Sequence, residues 1–384
     1  MTSKTQGGMR FRPRARRGLM LATLAAAVTC LTAVTASAST DHFARSTVKW
    51  PTAAQEIAKA GQFNLPFCGK KPITLAILDG FGINAWSQES YAAARSEAAK
   101  CKNVKQVVAA GGGDLQKMIS DISSAAAQGA NAIVVIPDFG QAELSALQQA
   151  TQAGVKVVPW GADPSGKNGK DYVSYVDWNS NYSGYIWATW MAKALHGHGN
   201  VIFTGGPAGN PVGAGQLKAI VKVFKKYPGM HLLTGNKDWP VTNWDPATAQ
   251  KVTAALLAKY PKIDGIISNY GTDALASVRA LQAAGRPLVP VTTLDANGLS
   301  CLYKKAGVAM STISSRNWLG RVAARKAIAA AEGLPNKEPS KYNLPFFEDT
   351  LNPSKPLVCN PSAPADFYPS NQISLAQIKK YGKP

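Results

Sequence analysis

Residues 114–136 read DLQKMISDISSAAAQGANAIVVI, an amphipathic stretch that passes through a glycine into a short apolar run. Asp114 is a typical helix N-cap and Gly129 is typical of the residue that ends a helix, so DLQKMISDISSAAAQ is predicted to be helical. The apolar run 132–136 predicts a short buried strand. Strands of this kind, alternating with helices, are typical of a parallel sheet that is covered on both faces.

The same alternation extends in both directions along the chain. Apolar runs recur at 73–78, 104–109 and 155–160, and a second series follows at 201–205, 231–235, 263–269 and 287–295. Amphipathic stretches lie between them, one of them capped by Asp245 with Pro246 in its first turn. The pattern predicts an α/β fold of two Rossmann-like lobes, each with its own parallel sheet.

The change of pattern along the chain predicts the domain boundaries. Residues 171–180 are expected to run extended where the lobes join. Beyond Gly333 the alternation of apolar runs and amphipathic stretches ends. The expected division is a signal peptide at 1–38, an N-terminal extension at 39–72, an N-terminal lobe at 73–176 plus about 316–340, a C-terminal lobe at 177–315 plus about 343–350, and a Pro-rich tail at 351–384.

The N-terminus has the features of a removable export signal. Six Lys and Arg residues precede the apolar run LMLATLAAAVTCLTAV, which ends in Ala36-Ser37-Ala38. Cleavage after Ala38 would give a soluble periplasmic or extracellular protein. A lipid anchor on Cys30 is the less favoured alternative because Thr29 stands where a small residue is wanted. The sequence leaves the Sec and twin-arginine routes both open.

Net charge and cysteine content indicate which partners and which cellular compartment to expect. Loss of the signal lowers the net charge from +20 by six to +14. The basic residues are scattered without an aromatic stripe, so nucleic acid is not an expected partner. The four cysteines left after cleavage suggest disulfides. Proximity favours Cys68–Cys101 and Cys301–Cys359 among three possible connectivities.

Polar and aromatic side chains follow the predicted strands one after another. Ligands bind outside the carboxyl ends of the strands in open α/β sheets, so these residues are the candidates for a binding site. Carboxylates, amides and guanidinium groups pair with hydroxyls, and aromatic rings pack on the apolar face of a sugar. The candidates are Asn84, Trp86, Asp138, Phe139, Trp160, Asp163, Asn210, Asn243, Trp244, Tyr270, Asp295 and Arg316.

The sequence favours two other interpretations, nucleotide binding and glycoside hydrolysis, less than it favours a ligand-binding site. GADPSGKN at 161–168 is similar to a phosphate-binding loop, but no helix follows it and Asn168 stands where Ser or Thr is required. Asp79, Asp138 and Asp295 could supply the acid and base of a glycosidase. The same carboxylates serve hydroxyl recognition without chemistry, so an enzyme is not expected. No metal-ligand spacing occurs, and no cofactor is expected.

A family resemblance covers about residues 73–333. It is carried by Asn84-Ala-Trp86, QGANAIVVIPD (128–138), NVIFTGGPAGNP (200–211), YPKIDGIISNYG (260–271), RALQAAGRP (279–287) and TTLDANG (292–298). In order and spacing these segments resemble the type I periplasmic binding proteins of ABC importers, in the ribose-like sugar-binding branch. The resemblance implies two lobes joined by three crossing strands, which close on one small ligand.

The resemblance also implies a function, although the chain differs from the family pattern at several positions. It implies a monomeric exported receptor that captures a sugar or similar small solute and delivers it to an ABC permease. A ligand sensor for a chemoreceptor or a kinase is the alternative. Gln216 stands where the family often has Arg, Ser315-Arg316 where it often has Gln, and Tyr270-Gly271 where Asn-Asp is commoner.

Overall fold

The computed structural model describes residues 66–82 and 84–384. The predicted signal peptide, Cys30 and residues 39–65 of the predicted N-terminal extension lie outside the described residues. Among the described residues, every helix is too short or too polar to cross a membrane.

The first lobe is built on four parallel strands in the order β2-β1-β3-β4. β3 is buried at every residue, which is the reason for its continuous apolar sequence. The strands of this sheet are β1 (Ile73–Asp79), β2 (Val104–Ala110), β3 (Ala132–Ile136) and β4 (Lys156–Pro159), and its helices are α1 (Ala85–Ala98), α2 (Leu115–Ala127) and α3 (Leu144–Gln152).

The second lobe is built on six strands in the order β12-β10-β9-β8-β6-β7. All neighbours are parallel except β12, which is antiparallel to β10. The strands are β6 (His198–Thr204), β7 (Gly229–Leu232), β8 (Gly265–Ser268), β9 (Val291–Leu294), β10 (Met310–Ile313) and β12 (Phe346–Asp349). The helices are α4 (Ser180–Ala194), α5 (Pro211–Phe224), α6 (Pro246–Lys259), α7 (Gly271–Ala283) and α8 (Asn297–Ala306).

The chain crosses between the lobes three times. The first and third crossings pair as the two-stranded β5 (Asp177–Trp178) and β11 (Lys341–Tyr342). The second runs from β10 through residues 314–318 into α9 (Leu319–Glu332), which packs on α1 and β4 of the first lobe. The prediction of an α/β fold with two sheet-containing lobes is confirmed. The numerical domain boundaries stay a prediction.

Local signals place several elements correctly. The Asp114 side chain accepts the backbone N–H of Lys117, and the Asp245 side chain accepts those of Ala247 and Thr248. Helix α4 gives a weaker sequence signal, because its apolar residues are not confined to its buried face: Ile186 is only half-buried, whereas Ser183 and Gly184 are buried. Its Gly184 meets α5 so closely that a Cβ there would lie 2.3 Å from the Gln216 carbonyl oxygen.

The favoured disulfide pairing is confirmed. Cys68 is bonded to Cys101, and Cys301 is bonded to Cys359, with Cα–Cα separations of 5.2 and 4.7 Å. The second bond attaches the start of the tail to α8. The tail then forms a 3₁₀ turn, Pro369–Asn371, and a helix, α10 (Leu375–Tyr381), which packs on α1 of the first lobe.

Candidate functional site

A cavity lies between the lobes at the carboxyl ends of their strands. β1 and β3 are neighbours at the point where the strand order of the first sheet reverses, which is where open α/β sheets bind ligands. The cavity and the solvent space at its mouth together hold about 480 Å³ free of protein atoms. It is lined by Asp79, Phe81, Asn84, Trp86, Ser87, Ile136, Asp138, Gly161, Val212, Trp244, Asn269, Tyr270, Leu294 and Arg316.

The two lobes are in direct contact around this cavity. The Asn210 side chain of the second lobe donates a hydrogen bond of 2.8 Å to the Asp138 carbonyl oxygen of the first. The rings of Phe81 and Trp244 meet edge to face across the gap, with their centroids 5.0 Å apart. The Trp86 Nε1 group donates to the carbonyl of Ser315 in the second crossing at 2.7 Å. The structure therefore shows the lobes closed on each other.

Two buried carboxyl groups face the cavity from the first lobe. One oxygen of Asp79 accepts the backbone N–H groups of Phe81 and Gly82, both at 2.8 Å, and the other is buried without a partner. Burial raises the pKa of Asp79 to about 6. Burial and the nearby Asp79 charge raise the pKa of Asp138 well above its usual value. The pair is therefore expected to share one proton near neutral pH, which offers both an acceptor and a donor.

Arg316 supplies the positive charge of the cavity. Its guanidinium carbon lies 4.1 Å from the Trp178 ring centroid and 5.1 Å from that of Trp86. Burial lowers the pKa of Arg316 to about 10, so the side chain stays charged at neutral pH. Its backbone φ of 65° is costly for a residue with a side chain, and strain of this kind clusters at binding sites.

Aromatic rings form two walls of the cavity. Trp86 stacks on Trp160 with their ring centroids 5.7 Å apart, and Trp244 lies opposite in the second lobe. The Trp244 Nε1 group donates to Asn269 Oδ1 at 3.3 Å, while Asn269 Nδ2 is buried without a partner. Unpaired buried polar atoms are uncommon in folded proteins, so Asp79 Oδ2, Asn269 Nδ2 and Arg316 Nε are groups that a ligand could satisfy.

A family model agrees with this architecture. Residues 76–335 match the model described as periplasmic binding protein domain, which is well over half of the chain. The chain belongs to the periplasmic binding protein family.

Named relatives of this periplasmic binding protein carry sugar or sugar-alcohol names. The xylitol-binding protein of Mycolicibacterium smegmatis is 29% identical over 246 residues, which cover 63% of this chain and 67% of the relative. The D-xylose-binding periplasmic protein of Escherichia coli is 26% identical over 252 residues, which cover 64% and 74% respectively. Both alignments leave about a third of this chain unmatched.

Solved structures share the fold of this periplasmic binding protein. A solute-binding protein from Actinobacillus succinogenes with bound D-allose aligns with a TM-score of 0.60 and 23% identity, over 71% of this chain and 96% of that one. A solute-binding protein from Bacillus halodurans with bound myo-inositol gives a TM-score of 0.64 and 16% identity, over 72% and 94%. At these identities the alignments show a common fold.

The structure brings half of the twelve sequence-predicted residues together at the cavity. These are Asn84, Trp86, Asp138, Trp244, Tyr270 and Arg316. Phe139 and Asn243 line an adjoining groove that shares Phe81, Asn84, Trp244 and Tyr270 with the cavity. Asp163 lines a different space beside the first and third crossings, together with Asp177 and Lys341.

Three of the predicted residues stand behind or beside the cavity instead of lining it. Trp160 is buried beneath Trp86 and supports its ring. Asn210 caps α5 and joins the lobes. Asp295 is fully buried, and its oxygens accept from the Ser315 backbone at 2.6 Å and from Ser370 at 2.9 Å. Asp295 follows a strand and therefore lies at the predicted edge of the sheet, but hydrogen bonds from Ser315 and Ser370 occupy its carboxylate.

Asp79, Phe81 and Asn269 were not among the residues predicted to bind a ligand. All three line the cavity. Asp79 ends β1 and Asn269 follows β8, so the strand-end rule that selected Asp138 and Tyr270 also applies to them. What separates lining from non-lining residues is the direction of each side chain, which the sequence pattern does not report.

Proposed function

We propose that this periplasmic binding protein is an exported substrate-binding protein of an ABC importer, and that its ligand is a small neutral polyol such as a monosaccharide or a sugar alcohol. The observation that carries the proposal is the combination, in one cavity between the lobes, of a stacked indole wall with unpaired acceptors and donors. Hydroxyl groups need both donors and acceptors, and the C–H face of a sugar packs on an aromatic ring.

Closure of the two lobes explains how this cavity would capture a ligand. The polar groups come from both lobes, so only the closed arrangement lets one molecule contact all of them. A ligand that binds the closed form more tightly shifts the population toward it. A permease that recognises the closed surface would then receive only loaded protein. The names of the xylitol-, D-xylose- and D-apiose-binding relatives support a polyol over other solutes.

The carboxyl pair argues for a neutral ligand. At most one of the Asp79 and Asp138 protons is lost near neutral pH, and Arg316 then balances that single negative charge. An acidic sugar would add an uncompensated buried charge, which is costly. We expect sugar acids to bind far more weakly than the corresponding neutral sugars.

Two alternatives use the same cavity. A sensing role would employ the same closure, and a fructose-binding periplasmic domain of a hybrid two-component system shares the fold with a TM-score of 0.64. A secreted carbohydrate-active enzyme would use Asp79 and Asp138 as acid and base. Deletion of the gene separates transport from sensing, because only a transport protein is needed for uptake of labelled ligand. Release of product from a glycoside would support the enzyme.

A calorimetric titration tests the proposed function. Xylitol, D-xylose, D-allose and myo-inositol are titrated into the purified protein, with gluconate as the acidic control. One-site binding of at least one neutral polyol is expected. Absence of binding across a broad panel of neutral polyols, with the protein folded, would contradict the proposal.

Polyol binding is expected to depend on pH through Asp79. An ionised carboxylate accepts a hydroxyl hydrogen bond more strongly than a protonated one. With its pKa raised to about 6, Asp79 is mostly ionised at pH 7.5 and mostly protonated at pH 5. Affinity is therefore expected to fall by up to about tenfold over this range. Titrations at several pH values measure it.

Asp79→Asn provides the control for this dependence. The variant cannot ionise at this position, so its affinity is expected to be low at pH 7.5 and nearly constant between pH 5 and 7.5. If the variant keeps the pH profile of the parent protein, Asp79 is not the group that controls it.

A further inference from the structure

A short part of the tail, residues 367–372, lies between the two lobes, and we call it the strap. It follows the disulfide that attaches the tail to α8 and precedes α10, which packs on the first lobe. The strap also lies beyond residues 76–335, the part of the chain that matches the family model. Tyr368 and Asn371 are fully buried, which is unusual for side chains in a Pro-rich tail.

The strap is hydrogen-bonded to the second lobe. The Phe367 carbonyl accepts the Asn297 backbone N–H at 2.8 Å. The backbone N–H and the hydroxyl of Ser370 both donate to the Asp295 carboxylate at 2.9 Å. Asp295 in turn accepts the Ser315 backbone N–H, which ties the same carboxylate to the second crossing.

The strap is hydrogen-bonded to the first lobe at the intervening residues. The Tyr368 backbone N–H and the Asn371 side chain donate to the two oxygens of Glu89 in α1, at 2.8 and 2.9 Å. Asn371 also donates to Asn317 Oδ1 at 2.6 Å. Successive positions 367, 368, 370 and 371 thus bond alternately to the second and first lobes.

The strap also contacts the back of the ligand cavity. The Tyr368 ring lies 6.2 Å, centroid to centroid, from the ring of Tyr270, which lines the cavity. The Ser315 hydroxyl oxygen lies 2.8 Å from Asn371 Nδ2, and Ser315 immediately precedes Arg316. Rotation of the lobes away from each other would move Glu89 relative to Asp295 and so break part of this buried network.

We propose that the strap is a fourth connection between the lobes, which stabilises their closed arrangement and holds Tyr270 and Arg316 in position as cavity residues. Its bonds go to the two buried carboxyl groups of Glu89 and Asp295, and a buried polar group that loses its hydrogen-bond partner carries a free-energy cost. The role of Tyr270 and Arg316 toward a ligand rests on the proposed function, whereas the link between the lobes does not.

The test uses Glu89→Gln and Asn371→Ala in the full-length protein. Glu89→Gln replaces one acceptor with an amide that faces the N–H donors of the strap, and Asn371→Ala removes the donor side chain. Ser374→Ala is the matched control, because Ser374 is exposed and its side chain bonds only to Gln377 in the first turn of α10. Thermal unfolding is followed for each protein to establish that it is folded.

The first measurement needs no ligand. Spin labels on cysteines introduced at the exposed positions Gln116 and Lys251, one on each lobe, report the distance between the lobes. The closed-to-open ratio is expected to fall by about tenfold in Glu89→Gln and in Asn371→Ala and to stay unchanged in Ser374→Ala. Distance distributions that are identical in all four proteins would overturn the proposal.

Hydrogen exchange provides a second measurement without ligand. In the parent protein, the amides of Tyr368 and Ser370 are expected to exchange as slowly as those of the strands. In Asn371→Ala they are expected to exchange faster while the strands stay protected. Strap amides that exchange in the parent as fast as in an unfolded peptide would overturn the proposal.

Xylitol is the ligand probe. Its dissociation rate is expected to rise by about tenfold in Asn371→Ala relative to Ser374→Ala. If xylitol fails to bind the parent protein, that result concerns the proposed ligand, and the two ligand-free measurements still decide the role of the strap.

Discussion

Trp86→Ala is expected to weaken polyol binding by about 100-fold, because buried aromatic anchors at the centre of a binding site carry a large share of its affinity. The Trp86 ring lines the cavity, and its centroid is 5.7 Å from that of the Trp160 ring and 5.1 Å from the Arg316 guanidinium carbon. Truncation removes the apolar wall, one support of Arg316 and the hydrogen bond to Ser315 that joins the first lobe to the second crossing. Isothermal titration calorimetry measures the change.

Two further variants separate the role of the ring from a general effect on folding. Trp86→Phe keeps an apolar ring but loses the Nε1 donor, so its loss of affinity is expected to be about tenfold. Trp190→Phe changes a buried tryptophan that bonds to Asp349, away from the cavity, and is expected to bind normally. Equal affinities for Trp86→Ala and Trp190→Phe would contradict the placement of the ligand beside Trp86.

Arg325→Met is expected to lower the free energy of unfolding by about 3–5 kcal/mol, because it leaves the buried Glu338 carboxylate without its guanidinium partner and Glu97 with only the exposed Lys100. Arg325 of α9 pairs with Glu97 of α1 at 3.0 Å and bonds through two nitrogens to Glu338, which leads into the third crossing. All three side chains are at least 95% buried. Urea unfolding followed by fluorescence measures the loss.

Lys100→Ala is the matched control for Arg325. Lys100 also pairs with Glu97, at 2.8 Å, but its side chain is 57% exposed. Pairs with an exposed partner are screened by water and typically contribute about 0–1 kcal/mol. If the two variants lose similar amounts of stability, the buried network does not contribute more to the free energy of unfolding than an exposed pair.

The alternation of strands and helices could be predicted because its signals are local. The apolar run 132–136 is continuous because β3 is buried on both faces, and Asp114 and Asp245 mark helix starts that the structure confirms. Helix α4 gave a weaker signal, because the small or polar Ser183 and Gly184 lie on its buried face while Ile186 is only half-buried. The burial of Tyr368 and Asn371 depends on partners more than fifty residues away, such as Glu89 and Asn317, which no local pattern records.

The sequence predicts which edge of the sheets carries the candidate site, but not which side chains at that edge line the cavity. Asp138 and Asp295 both follow strands, but one lines the cavity and the other is occupied by Ser315 and Ser370. Trp86 and Trp160 are in contact, but only Trp86 lines the cavity. Strand ends bring residues to one edge, whereas side-chain packing decides which of them face the ligand.

The central claim, that the cavity between the lobes encloses one small polyhydroxylated molecule, is tested most directly by native mass spectrometry of the purified protein with the polyols named above. One neutral polyol is expected to be bound per chain, retained in Trp190→Phe and lost in Trp86→Ala. Failure to detect any neutral polyol on the folded parent protein, or an adduct that persists unchanged in Trp86→Ala, would contradict it.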